Sequence, residues 1–424
     1  MDMKSAYLIS ADFRTVTFLG LQSLLDFIGC QPGKLDGFVR ELVLDRDLQA
    51  RPGTVIIPAG SELTREHLAR LVKLQQSRPD LELTFTILVT PALIDHCRAD
   101  ISRRLRSLLS VRSRSDDYRA LFKGFEGRLT EILDLALAND KAVLVLCRSI
   151  HHCRNTKQPG AARYLDFTFE SALFSMAIAA AEEFQSVVGD RTQRLAEIAV
   201  TALFHNYGGL AGCDEVLLLP EKERLASYQN RIGEKLPEIG RFELGSRISD
   251  AVNHLCAYLR HEKDFLDRKD WPSIAAGIVL TAVDFLQHES GLFGQPKPIR
   301  LATDLLNARA FGGWLAETPV RALSRLLGLQ EIFDFYEQME TLTSECPYHS
   351  AAAYPLTGFK SPTIFICRHT VRECEFLEGS HSAVNLVKVQ GDLPPGKYHR
   401  CNLLTPKLLA YYDRHYEEIK DKKK

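Results

Sequence analysis

The chain has 424 residues, too many for one ordinary hydrophobic core, so two or three domains are expected. Its 53 lysines and arginines nearly balance 54 aspartates and glutamates, which leaves no long-range field to gather nucleic acid or an anionic membrane. No apolar run is long enough to span a bilayer, Met1–Gly20 carries Asp12 and Arg14 inside its apolar part and makes a poor signal peptide, and 10 cysteines without a CxxC pair suit reduced thiols in a cytoplasm.

Residues 1–40 are apolar-rich without a decisive period. Val55–Ile57 reads as a short strand between Pro52-Gly53 and Pro58-Ala59-Gly60. Ser61 or Thr64 then caps a helix that carries Leu68, Leu71 and Leu74, which completes a small α+β module. From Ile101 to Ser115, Ile101, Leu105 and Leu108 share one helical face, with Arg103, Arg104 and Arg106 elsewhere. Those arginines could suit a phosphate, but a solvated face leading into an Arg/Ser-rich hinge is the simpler expectation. SRSDD near residue 115 is the linker, so the first domain is drawn as residues 1–115.

Between Phe125 and about Met339 apolar residues recur at three- and four-residue steps through FEGRLTEILDLALAND, FTFESALFSMAIAAAEEFQSVV, RTQRLAEIAVTALFHNY, SRISDAVNHLCAYLRHE and PSIAAGIVLTAVDFLQHE. Short connections imply an antiparallel helical bundle over residues 125–340. His151-His152-Cys153 is expected in a surface loop, because adjacent residues of a helix or strand point apart. After Glu345, SPTIFICRHTV and SAVNLVKVQ read as strands divided by Gly379-Ser380, and TPKLLAYYDRHYEEIK as a last helix before a lysine tail. Residues 341–424 are therefore drawn as a small α+β segment with a basic tail. Its Cys346, His349, Cys367, Cys374 and Cys401 match no zinc spacing and are expected to be unrelated thiols. The fold expected overall is mainly α.

The chemistry concentrates in ALFHNYGGLAGCDEVLLLP, Ala202 to Pro220. Leu195, Ile198, Ala199, Ala202 and Leu203 mark the buried side of the preceding helix. His205 lies seven residues after Ile198 and Asn206 seven after Ala199, so both point inward, and Gly208-Gly209 is expected to end the helix. Two polar side chains aimed into an all-helical core need partners.

HNYGGLAGCDEVLLLP resembles the HD-GYP branch of the HD phosphohydrolase superfamily, where a His-Asp pair at a helix end is followed by Gly-Lys. LPEIG at Leu236–Gly240 resembles that family's next metal motif, and GIVLTAVDFL at Gly277–Leu286 its final ligand helix, whose aspartate falls on Asp284. His254 lies near the distance before Asp284 expected for the paired histidines, and VIIPAGSELTREHLARL resembles the small module often found ahead of such domains. The likeness covers roughly residues 40–75 and 160–340. It implies an HD-type bundle holding two or three iron or manganese ions, which hydrolyse the bacterial messenger cyclic di-GMP. In such a site closely spaced cations activate a bridging water, clamp the phosphodiester and stabilise the leaving oxygen.

The departures from the family fall on the ligands. Asn206 replaces the bridging aspartate and offers only a neutral carbonyl oxygen; Gly209 replaces the lysine; Leu236 stands where a histidine precedes PEIG. Where the first ligand is expected, Phe167–Ser171 holds no histidine and only one carboxylate, Glu170, and the Gly-Tyr-Pro loop is missing. His205, His254 and Asp284 remain as a two-histidine, one-carboxylate set that would suit a single iron or manganese ion, with His261 and His288 nearby in sequence; the alternative is that these are hydrogen-bonded core residues. The resemblance thus leads to a catalytically degenerate protein, a binding, regulatory or scaffold module in bacterial signalling with no required cofactor. Its expected partners are proteins, a second copy included, with a cyclic dinucleotide as the small-molecule candidate and no nucleic acid. The alternatives are an active metal-dependent phosphodiesterase with a rearranged site, and a regulatory domain of the related HDOD type.

Overall fold

The computed structural model describes residues 7–30, 41–51, 53–156, 158–187, 191–235, 238–239, 242–260, 262, 264–266, 268–311, 313–334 and 337, with four short strands between 354 and 399. They belong to two compact units, Met1–Pro298 and Ile299–Lys424. Fifteen α-helices lie among the described residues, so the fold is mainly α as the periodicity predicts. None of those helices is long and apolar enough to cross a membrane.

The first unit opens with β1 (Tyr7–Ile9), β2 (Thr15–Leu19), α1 (Leu21–Phe27), β3 (Leu48–Arg51), β4 (Thr54–Ile57), α2 (Arg65–Ser77) and β5 (Thr84–Leu88). An antiparallel sheet of order β1-β2-β5 pairs Tyr7 with Phe18 and Phe18 with Phe85. Val16, Phe18, Phe85 and Ile87 point to the core from alternate positions, as a strand with one covered face requires. The expected strand at residues 55–57 makes up the last three residues of β4, which pairs with β3. Of the two capping candidates, Thr64 caps α2: its Oγ1 accepts the His67 N–H at 3.2 Å while His67 Nδ1 accepts the Thr64 N–H at 3.3 Å.

The helices follow as α3 (Pro91–Arg112), α4 (Asp116–Phe122), α5 (Leu129–Ala136), α6 (Asp140–Asn155), α7 (Ala161–Ala179), α8 (Arg191–His205), α9 (Tyr207–Ala211), α10 (Cys213–Leu218), α11 (Glu221–Lys235), α12 (Ser246–Leu259) and α13 (Trp271–Glu289). Thr90 and Pro91 start α3 ten residues before the expected Ile101, and Ser115 merely caps α4 within the first unit. Every residue of α7 from Phe167 to Ala179 is buried, as are Leu195–His205 of α8 and Ala275–Leu286 of α13. A helix apolar on all sides must be covered on all sides. Accordingly α7 packs against α3, α4, α6, α8 and α13, and α12 covers α8 and α13.

Hydroxyls in these buried helices bond back to their own backbone. Ser171 Oγ donates to Phe167 O at 2.8 Å, Ser175 Oγ to Ser171 O at 2.6 Å, and Thr281 Oγ1 to Gly277 O at 2.9 Å. The polar link from α3 to α7 and α13 is made by charges instead. Arg112 on α3 donates to both Glu170 oxygens at 2.6 and 2.9 Å and to Glu289 at 3.0 and 3.2 Å, and the Tyr118 hydroxyl adds a third donor to Glu289 at 2.9 Å. Burial opposes the Arg112 charge, but the two carboxylates outweigh it and hold its pKa above the ordinary value.

Three expectations need correction. His151, His152 and Cys153 are in α6, not a surface loop, and His151 and Cys153 are buried. The helix before the Gly-Gly pair ends at His205, and both glycines lie inside α9. Of the arginine cluster, Arg103 and Arg106 are exposed as expected, and only Arg104 departs, half-buried and paired with Asp166.

The second unit contains α14 (Ile299–Phe311), α15 (Glu317–Leu326) and two antiparallel strand pairs, β6 (Tyr354–Pro355) with β7 (Phe365–Ile366) and β8 (Leu386–Val389) with β9 (Gly396–His399). β7 and β8 fall within the two stretches read as strands. The expected last helix, the lysine tail and the C-terminal cysteines lie outside the described residues.

Candidate functional site

His205 closes α8, and Asn206, with φ −86° and ψ 1°, turns the chain into α9. Both are buried, as the seven-residue spacing predicts. The two differ in how they are satisfied. Asn206 Oδ1 accepts the Tyr228 hydroxyl, and its Nδ2 donates to Ala202 O at 3.4 Å. His205 Nδ1 has no hydrogen-bond partner. Burial lowers the His205 pKa to about 4, against a small opposing effect of the Asn206 side chain, so the imidazole is neutral at pH 7.

Tyr228 belongs to an aromatic plug. Its ring lies 4.8 Å from Phe293, 5.8 Å from Phe167 and 6.0 Å from Tyr164, centroid to centroid. The plug closes over Gly209. A Cβ at Gly209 would stand 2.5 Å from the Tyr164 hydroxyl oxygen and 2.9 Å from Tyr228 Cε2, so glycine is required there by space. Burial raises both phenols well above their usual range, which keeps them protonated.

His205 and Asp284 line one cavity with Tyr228, Gln229, Tyr258 and Gln287. Its volume is about 20 Å³, room for one water and little else. His254 is elsewhere. Its Nε2 is 3.2 Å from Ser273 Oγ, and its ring stacks on Phe265 at 5.0 Å. Ser273 and Asp284 are eleven residues apart on α13, about 16 Å at 1.5 Å per residue. The expected ligand set of His205, His254 and Asp284 is therefore not assembled; α12 presents Tyr258 and Leu259 to the cavity, not His254.

The other expected donors are also placed otherwise. Glu170 is held by Arg112, and Glu238 of the LPEIG segment lines a different pocket. His288 is on α13 and half-buried; Leu236 and His261 lie outside the described residues. Two adjacent iron or manganese ions need a bridging anion and further donors around it. The described residues around His205 do not fit that need: the bridging position is an amide already bonded to Tyr228, and Phe167 stands at the expected first ligand.

A larger pocket of about 450 Å³ lies between the β1–β2 turn, α6, Tyr207, Glu238, Phe242 and Glu243. Lys141 and Arg148 face Asp12, Glu238 and Glu243 across it, with Phe13 and Phe242 on its walls. Lys141 Nζ pairs with Glu243 at 2.6 Å, and Arg148 donates to the Tyr207 hydroxyl at 3.0 Å. Its size is that of a small-molecule site. Sequence reading missed this pocket and the plug alike. In EKERLASYQNRIGEK, Tyr228 reads as one more apolar-face residue of an amphipathic helix, and nothing local ties it to Asn206. In comparisons with known proteins, no family model, no curated protein and no solved structure matches the chain.

Proposed function

We propose that this chain is a catalytically degenerate HD-GYP-like protein that works by binding, as a regulatory or scaffold module in bacterial signalling. The reading rests on the sequence resemblance together with one observation, the aromatic plug over Gly209. At the place where the resemblance would put metal and phosphate, Tyr228 occupies the Asn206 oxygen, and Tyr164 and Tyr228 fill the space a lysine would need. The remaining cavity of about 20 Å³ cannot admit a cyclic dinucleotide. Binding of a small charged ligand, a cyclic dinucleotide among the candidates, falls to the 450 Å³ pocket instead, where Arg148, Lys141 and two aromatic rings stand beside Asp12, Glu238 and Glu243, so that an anion must displace Glu243 from Lys141.

The test is a cyclic di-GMP turnover assay with added manganese and iron, run on wild type and Asn206→Asp beside a thermal melt. Neither protein should turn over substrate. The aspartate retains the acceptor for Tyr228 but loses the donor to Ala202 O, and it buries a charge without a cation, so it should cost about 1–3 kcal/mol of stability. Turnover by wild type would establish an active phosphodiesterase with a rearranged site. A reverted protein that is active and stabilised by manganese would mean that the plug opens.

A further inference from the structure

A second group of ligand-type side chains lies where α3 packs on α6, away from His205. α6 carries Cys147 and His151 at i and i+4; α3 carries Cys97 and Asp100 at i and i+3. Both spacings put the pair on one helix face. Asp100, Cys147 and His151 each offer a ligand atom within 4.8 Å of the others, the one such trio among the described residues. Cys97 lies one turn before Asp100 on α3, buried beside Cys147 and just outside that trio. Cys97, Cys147 and His151 are at most 2% exposed. His151 Nδ1 has no hydrogen-bond partner, an uncompensated polar atom in a buried site.

We propose that Cys97, Asp100, Cys147 and His151 form a structural site for a zinc-class dication. Two thiolates, an imidazole and a carboxylate are a tetrahedral donor set for that ion; ligand bonds of about 2.0–2.3 Å would draw in the Asp100, Cys147 and His151 atoms, now within 4.8 Å of one another, and bring Cys97 to them from α3. The surroundings suit it. The Phe27 carbonyl, which also accepts from His96 Nε2 at 2.9 Å, faces the His151 ring. With Nδ1 unpartnered, that carbonyl would accept from the other ring nitrogen once Nδ1 ligates, the outer hydrogen bond usual for a metal-bound histidine. Two thiolates and Asp100 around a dication leave one net negative charge. Arg154, 2.7 Å from Asp100, and Arg103, 3.5 Å from it, supply the balance. Tyr7 from β1 and Phe27 from α1 cover the group, the Tyr7 hydroxyl donating to Leu144 O at 3.1 Å, so the ion would tie α3 to α6 beneath the N-terminal sheet module.

Binding replaces two thiol protons: one Zn²⁺ enters and two H⁺ leave. The full chain, stripped with a chelator under reducing conditions, is titrated with zinc in buffers of different ionisation enthalpy, and in parallel with cobalt(II). We expect one equivalent bound, about two protons released, and the thiolate-to-cobalt charge-transfer band with the ligand-field bands of a tetrahedral ion. Zinc-edge X-ray absorption of the loaded wild type should report two sulfur and two lighter ligands, and this reading stands whether or not any variant folds. Cys147→Ser and His151→Gln should each lose the band. A full chain with Cys346, Cys367, Cys374 and Cys401 all changed to serine should keep it. Absence of binding, a sulfur-free or four-sulfur shell, or loss of the band in the C-terminal variant overturns the proposal. Iron or manganese held without a thiolate band would bear on the His205 cavity instead.

Discussion

His205 is a neutral imidazole buried beside a cavity too small for more than one water, and this makes it a liability in acid. Its pKa lies near 4 in the folded chain and at 6.5 when exposed. The unfolded chain therefore binds the proton first. Stability is fully present above pH 6.5 and declines as the pH falls towards 4, below which the loss is complete. Between pH 7 and pH 5 His205 should account for about 2 kcal/mol of lost stability. Denaturant titrations at the two pH values, on wild type and His205→Gln, measure it: the variant should lose about 2 kcal/mol less, and equal losses would show that the ring is accessible to protons when folded. The inward aim of His205 and Asn206 was legible, because two side chains seven residues beyond apolar positions inherit their face. What fills the space around them was not. Tyr228 and Phe293 come from segments 22 and 87 residues further along the chain than Asn206, and a helical period carries no record of which apolar face meets which.

The helices were largely legible for the same reason, and the exceptions share a cause. β2 meets β5 through pairs such as Thr17 with Thr86, and only that long-range pairing makes strands of either segment. In α6 the polar run at His151 suggests water, but Asp100 and Phe27 cover it from α3 and α1. Packing between α7, α9 and α11 gives a sharper test of the plug. Gly209→Ala forces a methyl against two buried rings, which should cost about 1–3 kcal/mol. Gly212→Ala, three residues on, meets only the Arg231 chain at 3.4 Å and the Gly208 carbonyl at 3.6 Å, and should be nearly neutral. Thermal melts of the two variants compare them directly, and equal costs would mean that Tyr164 and Tyr228 move aside freely.

At the level of the whole chain, two compact units imply two cooperative transitions. The chain has 2 tryptophans, and they report on different units. Trp271 starts α13 in the first unit, 8% exposed, its indole N–H donating to Glu197 at 2.6 Å. Trp314 follows α14 in the second and is 39% exposed. Trp314→Phe leaves a probe of the first unit, and Trp271→Phe a probe of the second. Their fluorescence should follow urea unfolding with different midpoints, each matching one phase of the wild-type curve. A single shared midpoint for all three proteins would mean that the units unfold as one.

The hydroxyls that bond back along α7 and α13 have a consequence for how such a chain could change over generations. Ser171, Ser175 and Thr281 ask nothing of the neighbouring helix, so each can drift to alanine or valine without a matching change elsewhere. Arg112, Glu170 and Glu289 have less freedom: losing Arg112 strands two carboxylates, and losing either carboxylate removes half of the acceptors its guanidinium uses. In a set of related sequences the first group would vary independently and the second would change together or not at all. The pairing of α3 with α7 and α13 would then be readable as covariation, while the serines and threonines buried beside it would carry no such record.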